Sequence, residues 1–133
     1  AMTLRSSLAM FKPVAAGQTI GYGHVRTLEE PTTLGLVPIG YADGLHRAAG
    51  DKAFVLVRTA SGDVRAPQLG RISMDQIVVD LGTDTAAEPG DEVIVFGDAP
   101  GAPTAEDWAG AAGTIPYEVL TSISARVPRD VRA

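Results

Sequence analysis

Leu34-Gly35-Leu36-Val37-Pro38-Ile39-Gly40-Tyr41-Ala42-Asp43-Gly44-Leu45-His46-Arg47 is the stretch on which the fold turns. A short apolar run, residues 34–39, stops abruptly at two glycines that bracket a tyrosine, an alanine and an acid. Glycine permits a sharp backbone turn and the close approach of another surface, so the run reads as a strand and its end as a turn. Pro38 lacks an N–H and marks an edge or terminal part of that strand. The turn holds out a phenol, a carboxylate and, three residues on, a guanidinium. Taken by spacing alone, this is a strand end followed by a turn and a surface arginine.

The same punctuation recurs along the chain. Its 15 glycines and 9 prolines fall between short apolar runs and do not gather into one linker. Residues 7–14 form a first run, closed by Ala15-Ala16-Gly17, and residues 19–25 follow as its expected hairpin partner. Ala53-Phe54-Val55-Leu56-Val57 is apolar throughout and is expected deepest in the core. Ser61-Gly62 turns the chain into residues 64–69, giving a second hairpin. Residues 76–81 and 91–96 are two more strands, joined by an acidic loop that contains Pro89-Gly90. Beyond Gly97 the pattern changes to helix. Thr104 is an N-cap candidate with Glu106 and Asp107 in the first turn, and Pro116 suits the first turn of a second helix begun near Thr114. Residues 124–127 are expected to form a last strand. The fold class is therefore all-β: a small closed or partly open antiparallel, Greek-key β-barrel with one or two short helices near the C-terminus.

Bulk properties bound the function. A chain of 133 residues is one domain, spanning 1–133, with residues 1–3 set aside as an expression remnant or interdomain linker. Eleven basic and sixteen acidic side chains give a net charge of −5, and no basic cluster is present. Nucleic acid and anionic membranes are accordingly not expected as partners. The absence of cysteine removes disulfides, thiolate nucleophiles and Cys-based zinc sites. His24 and His46 lack metal-ligand spacing, so no metal is expected. No apolar run is long enough to cross a membrane and no signal peptide is visible, so a soluble cytoplasmic protein is expected.

Each of the three tyrosines sits in punctuation: Tyr22 in Gly21-Tyr22-Gly23, Tyr41 in the turn above, and Tyr117 in Thr114-Ile115-Pro116-Tyr117-Glu118. A lone tyrosine is ordinarily a half-buried packing residue whose hydroxyl finds a partner. Three flanked by glycine or proline point instead to presentation outward. A fourth segment, Gly70-Arg71-Ile72-Ser73-Met74-Asp75, places an arginine and an acid four apart. They form either an ion pair of small worth or a site for a carboxylate or another anion.

These segments, in this order, resemble the signatures of the C-terminal domain of alanine racemase: Gly21-Tyr22-Gly23, then 39–44, then 70–76, then 114–118. The closing Ile123-Ser124-Ala125-Arg126-Val127-Pro128-Arg129 resembles that family's end, and the likeness runs from about Leu4 onward. It implies a two-domain enzyme. An N-terminal barrel would hold pyridoxal phosphate on a lysine, and this β-domain would face the partner subunit's barrel in a head-to-tail homodimer that interconverts L- and D-alanine. By the resemblance, Tyr22 is the catalytic base opposite the barrel's lysine, and Tyr117 hydrogen-bonds the cofactor phosphate. Met74 and Tyr41 lie near the substrate, and Arg47, Arg71, Asp75 and Ile115 line the approach channel.

The residue types suit that chemistry. Racemisation needs one group to remove the α-proton and another to return it on the opposite face. Tyrosine has a pKa near ~10, so keeping a phenolate at pH 7 calls for about 4 kcal/mol of local stabilisation. His24 and the two channel arginines are local candidates for it, while the resemblance points to groups in the barrel. Only Lys12 and Lys52 are present, and neither lies in a cofactor-lysine motif, so no pyridoxal phosphate and no activity are expected for this chain by itself. Two alternatives stay open. One is a free-standing β-barrel that serves binding or assembly. The other is a domain of a broader-range racemase or of a pyridoxal-dependent decarboxylase of similar build.

Overall fold

The computed structural model describes residues 2–20 and 26–131. Seven strands form one antiparallel sheet: β1 (Leu4–Ser7), β2 (Met10–Val14), β5 (Thr32–Val37), β6 (Phe54–Thr59), β7 (Gly62–Leu69), β8 (Ile77–Gly82) and β9 (Glu92–Phe96). Their spatial order is β1-β9-β6-β7-β8-β5-β2. Two very short strands, β3 (Thr19–Ile20) and β4 (Arg26–Thr27), pair apart from it. Helices α1 (Ala105–Ala112) and α2 (Pro116–Thr121) follow β9.

The two outermost strands of this sheet are consecutive in sequence, separated only by Leu8 and Ala9. The outer members of a flat seven-stranded sheet would stand ~29 Å apart, whereas the step from Ser7 to Met10 spans at most ~11 Å of extended chain. The sheet must therefore curl until its edges approach, which makes it a half-barrel. Leu8 is the splice: its N–H donates to Asp91 O at 2.9 Å and its carbonyl accepts from Gly90 at 2.7 Å. Ala9 N–H then donates to Leu36 O at 2.9 Å on the far side. The Leu8 side chain is 1% exposed and fills the space that Gly35 leaves on β5.

Alternation places the core. Ile77, Val79 and Leu81 of β8 point inward with less buried neighbours between them, and Val55, Leu56 and Val57 are buried as their apolar run requires. Trp108 of α1 packs into the same cluster and donates from Nε1 to Val95 O at 2.7 Å. Thr104 caps that helix: its Oγ1 accepts from Asp107 N–H, and the Asp107 carboxylate accepts from Thr104 N–H. Pro116 opens α2 as its composition suggested. Among the described residues, no helix is long and apolar enough to cross a membrane.

Three expectations are corrected. Residues 7–14 are two strands, because the chain changes sheet edges at Leu8-Ala9. Strand β2 pairs with β5, not with the segment after Gly17. That segment is held instead by Gly17 N–H to Leu28 O and Leu28 N–H to Gln18 O, which direct it onto β4. Residues 124–127 are a turn, closed by Val127 N–H to Ser124 O at 3.2 Å, because their polar groups are spent on another loop. Replacing Leu8 with alanine should cost about 3 kcal/mol by removing buried volume at the splice, read as a lower urea midpoint at unchanged slope. Leu8→Met should cost less than about 1.5 kcal/mol.

Candidate functional site

The turn read first from the sequence is locked between two other segments. Gly40 is followed by a 3-10 turn, Tyr41–Asp43, and Gly40 N–H donates to the Asp43 carboxylate at 2.9 Å. On one side, Tyr41 N–H donates to Ser73 O and Ala42 N–H to Met74 O, each at 2.9 Å. A Cβ on Gly40 would lie 2.2 Å from Ser73 O, so only glycine allows that approach. On the other side, Gly44 has φ 116° and a Cβ there would lie 2.3 Å from Ser122 O. The two glycines serve contact with two different neighbours, and Tyr41 stands between them.

This clamp brings together four of the residues singled out in the sequence. Tyr41, Arg47, Arg71 and Met74 wall a recess of about 350 Å³, floored by Ile72 and Ser73. The Arg47 guanidinium lies over the Tyr41 ring, 5.2 Å from its centroid, which orients both groups. Met74 is 52% exposed and Tyr41 38%, so two large, partly apolar side chains stand together on the wall of the recess. Among the described residues, neither Arg47 nor Arg71 has an acidic partner, so the recess offers two guanidiniums, a phenol and a thioether. That set suits a small anion with an apolar substituent.

The remaining candidates lie elsewhere. Ile115 and Tyr117, 63% and 73% exposed, project from the start of α2 and are not walls of the recess. They belong to the same end of the barrel, because the next residue, Glu118, meets His46 at 3.2 Å, beside Arg47. Ser122 Oγ, 3.4 Å from the same His46 nitrogen, adds to this link. The Glu118 carboxyl is held below the ordinary carboxylate range, first by the Thr114 hydroxyl, which donates to it at 2.8 Å, and then by His46. Asp75 pairs with Arg126 and not with Arg71. Tyr22 and His24 lie outside the described residues. Among the described residues, no group of three or more His, Cys, Asp or Glu could hold a metal ion.

Sequence reasoning missed Gln68, the one buried polar side chain among the described residues, 1% exposed. Its amide donates to Leu69 O and Gly70 O and accepts from Asp51 N–H at 2.7 Å, while Asp51 Oδ1 accepts from Gly70 N–H. This knot ties the turn after Arg47 to the loop that begins at Arg71. The available signal was parity, since Gln68 shares a strand face with Ala66.

Comparison with known proteins gives the class. A family described as alanine racemase, C-terminal domain, matches residues 1–131. The alanine racemase of Streptomyces coelicolor is 55% identical over 129 residues, covering 96% of this chain and 32% of that protein. That of Mycobacterium tuberculosis is 45% identical over 134 residues, covering 99% and 34%. Among solved structures, alanine racemase from Streptomyces lavendulae superposes with a TM-score of 0.87 at 55% identity over 97% of this chain and 33% of its own. The biosynthetic enzyme from Pseudomonas aeruginosa gives 0.87 at 39% identity over 98% and 34%. The chain belongs to the alanine racemase C-terminal domain family. It spans about a third of the length of the curated relatives it matches.

Two outcomes are expected. Gly40→Ala should push the turn off the 71–75 loop and destabilise the protein by about 2 kcal/mol or more, seen as a lower thermal midpoint. Thr114→Ala should raise the Glu118 pKa toward its ordinary value, measured by carboxyl carbon-13 NMR titration. The sign follows from the lowered pKa: the tie of α2 through Glu118 is present above the ordinary carboxylate range and is lost as pH falls through the folded-state value.

Proposed function

We propose that this chain, residues 1–133, is the C-terminal β-domain of an alanine racemase and contributes half of an active site that interconverts L- and D-alanine, the latter for peptidoglycan. The observation that carries this is the recess where Tyr41, Arg47, Arg71 and Met74 meet, in a chain of this family. The other half would be an N-terminal barrel, supplied by the partner subunit in a head-to-tail homodimer. The exposed tyrosines and Met74 at one end of the half-barrel support a surface that another body covers.

Pyridoxal phosphate, the cofactor of that reaction, supplies an electron sink for the α-carbanion when it is bound. The residues present here do not hold its reactive end. The chain's two lysines are Lys12, on the outermost strand β2, and Lys52, next to the Arg47–Ala49 turn but not a wall of the recess. The chain alone is accordingly assigned no covalent cofactor and no turnover. Its own residues have other tasks. Tyr22 takes or returns the α-proton on one face of the substrate carbon. Tyr117 is exposed and can donate its phenol to a phosphate from outside the chain. Met74 and Tyr41 border the substrate, and Arg47, Arg71, Ile115 and Asp75 belong to the approach.

In the full-length parent, Tyr22→Phe should lower racemisation by about 100-fold or more, the usual worth of a positioned general base. Exchange of the α-hydrogen with deuterated water should be lost for one enantiomer and persist for the other, with cofactor affinity nearly unchanged. Equal loss for both enantiomers together with loss of cofactor would assign Tyr22 a structural role.

A further inference from the structure

The closing segment 123–129, which the proposed function leaves idle, reaches back to the recess. Ser124 N–H donates to Asp43 O at 2.9 Å and its Oγ donates to Ala42 O at 3.0 Å, so the segment grips the turn that carries Tyr41. Arg129 stiffens it by donating to the carbonyls of Ile123, Ser124 and Val127. Between these anchors stands Arg126. Its Nη2 donates to Asp75 Oδ1 at 2.9 Å, and its Nε lies 3.7 Å from Asp43 Oδ1. One guanidinium thus spans the two loops that build the recess.

Charge makes the arrangement consequential. Among the described residues, the walls of the recess carry two guanidiniums, those of Arg47 and Arg71, and no carboxylate. Asp75 is one residue beyond Met74 and four beyond Arg71, and its side chain is 60% exposed, free to turn if released. A carboxylate tethered this close has a high effective concentration against any dissolved anion. We propose that Arg126 is a positioning residue that keeps the Asp75 carboxylate out of the recess, so that Arg47 and Arg71 stay open to an arriving carboxylate. The identity of that carboxylate as alanine's rests on the function proposed above; the holding of Asp75 does not.

The variants suit a clean test, because exposed ion pairs contribute little to stability and their removal leaves the fold intact. In the full-length enzyme, Arg126→Ala should raise the KM for alanine about threefold at nearly constant kcat, the size expected when one exposed ion pair competes with the ligand. Arg126→Lys should recover part of the loss. A second readout needs no activity. Acetate titrated into the 133-residue chain should shift the side-chain Nε–Hε NMR signals of Arg47 and Arg71, about threefold more weakly in Arg126→Ala than in the wild type. Adding Asp75→Asn to Arg126→Ala in that chain should restore most of the acetate affinity, since the competing charge is gone. Failure to do so, a fall in kcat at constant KM, or unchanged acetate affinity in Arg126→Ala would each overturn the proposal. An inactive wild-type parent would sink the racemase assignment, while the acetate titration would still decide the role of Arg126.

Discussion

Two residues, Leu8 and Ala9, join the opposite edges of a seven-stranded sheet, and the rest of the molecule follows from that short link. A sheet whose outer strands must meet cannot stay flat, so it curls about Val37, Val55, Val79 and Val93 and buries them completely. Curling also gathers the strand ends. The end of β5, the end of β7 and the start of β8 lie on sequential neighbours in the sheet order, so the loops beyond them can pack together. The recess exists because the glycine-bracketed turn after β5 fits against the 71–75 loop between β7 and β8.

Holding that recess is a matter of backbone and polar groups more than of apolar contact. The Tyr41–Asp43 turn is fixed by main-chain bonds to Ser73 and Met74 on one flank and to Ser124 on the other. Gln68 secures the next pair of loops from within, where a buried amide is tolerated only because its hydrogen-bonding groups are satisfied. Arg126 works from without, at the cost of little desolvation. Arg47 and Arg71 stand beside these anchors with no acidic partner among the described residues.

Most strands were legible because glycine and proline separate them and β-branched residues fill them. Residues 54–59, 62–69, 77–82 and 92–96 fall close to where apolar runs placed them. The strand change at Leu8-Ala9 was invisible, since both residues continue an apolar run and only the paired edges reveal the break. Residues 124–127 misled for a related reason. Their composition suits a strand, but Ser124 satisfies the turn at Ala42 and Asp43, and long-range pairing overrides local preference. Tyr41, Arg47, Arg71 and Met74, which line one recess, all stand in stretches that the glycine punctuation singles out. Arg126 stands in the closing motif, but no role for it is legible there, because nothing in local spacing indicates two acids from distant loops.

The β6–β7 hairpin has a practical corollary. Its tip, Ala60-Ser61, is exposed, and Gly62 beside it has open space around it. Strand β7 runs ~23 Å from that tip before reaching the loop that bears Arg71. A peptide epitope or fluorophore grafted there would report on the domain from the end of β7 opposite the loop that bears Arg71, making the hairpin a handle for labelling and surface capture.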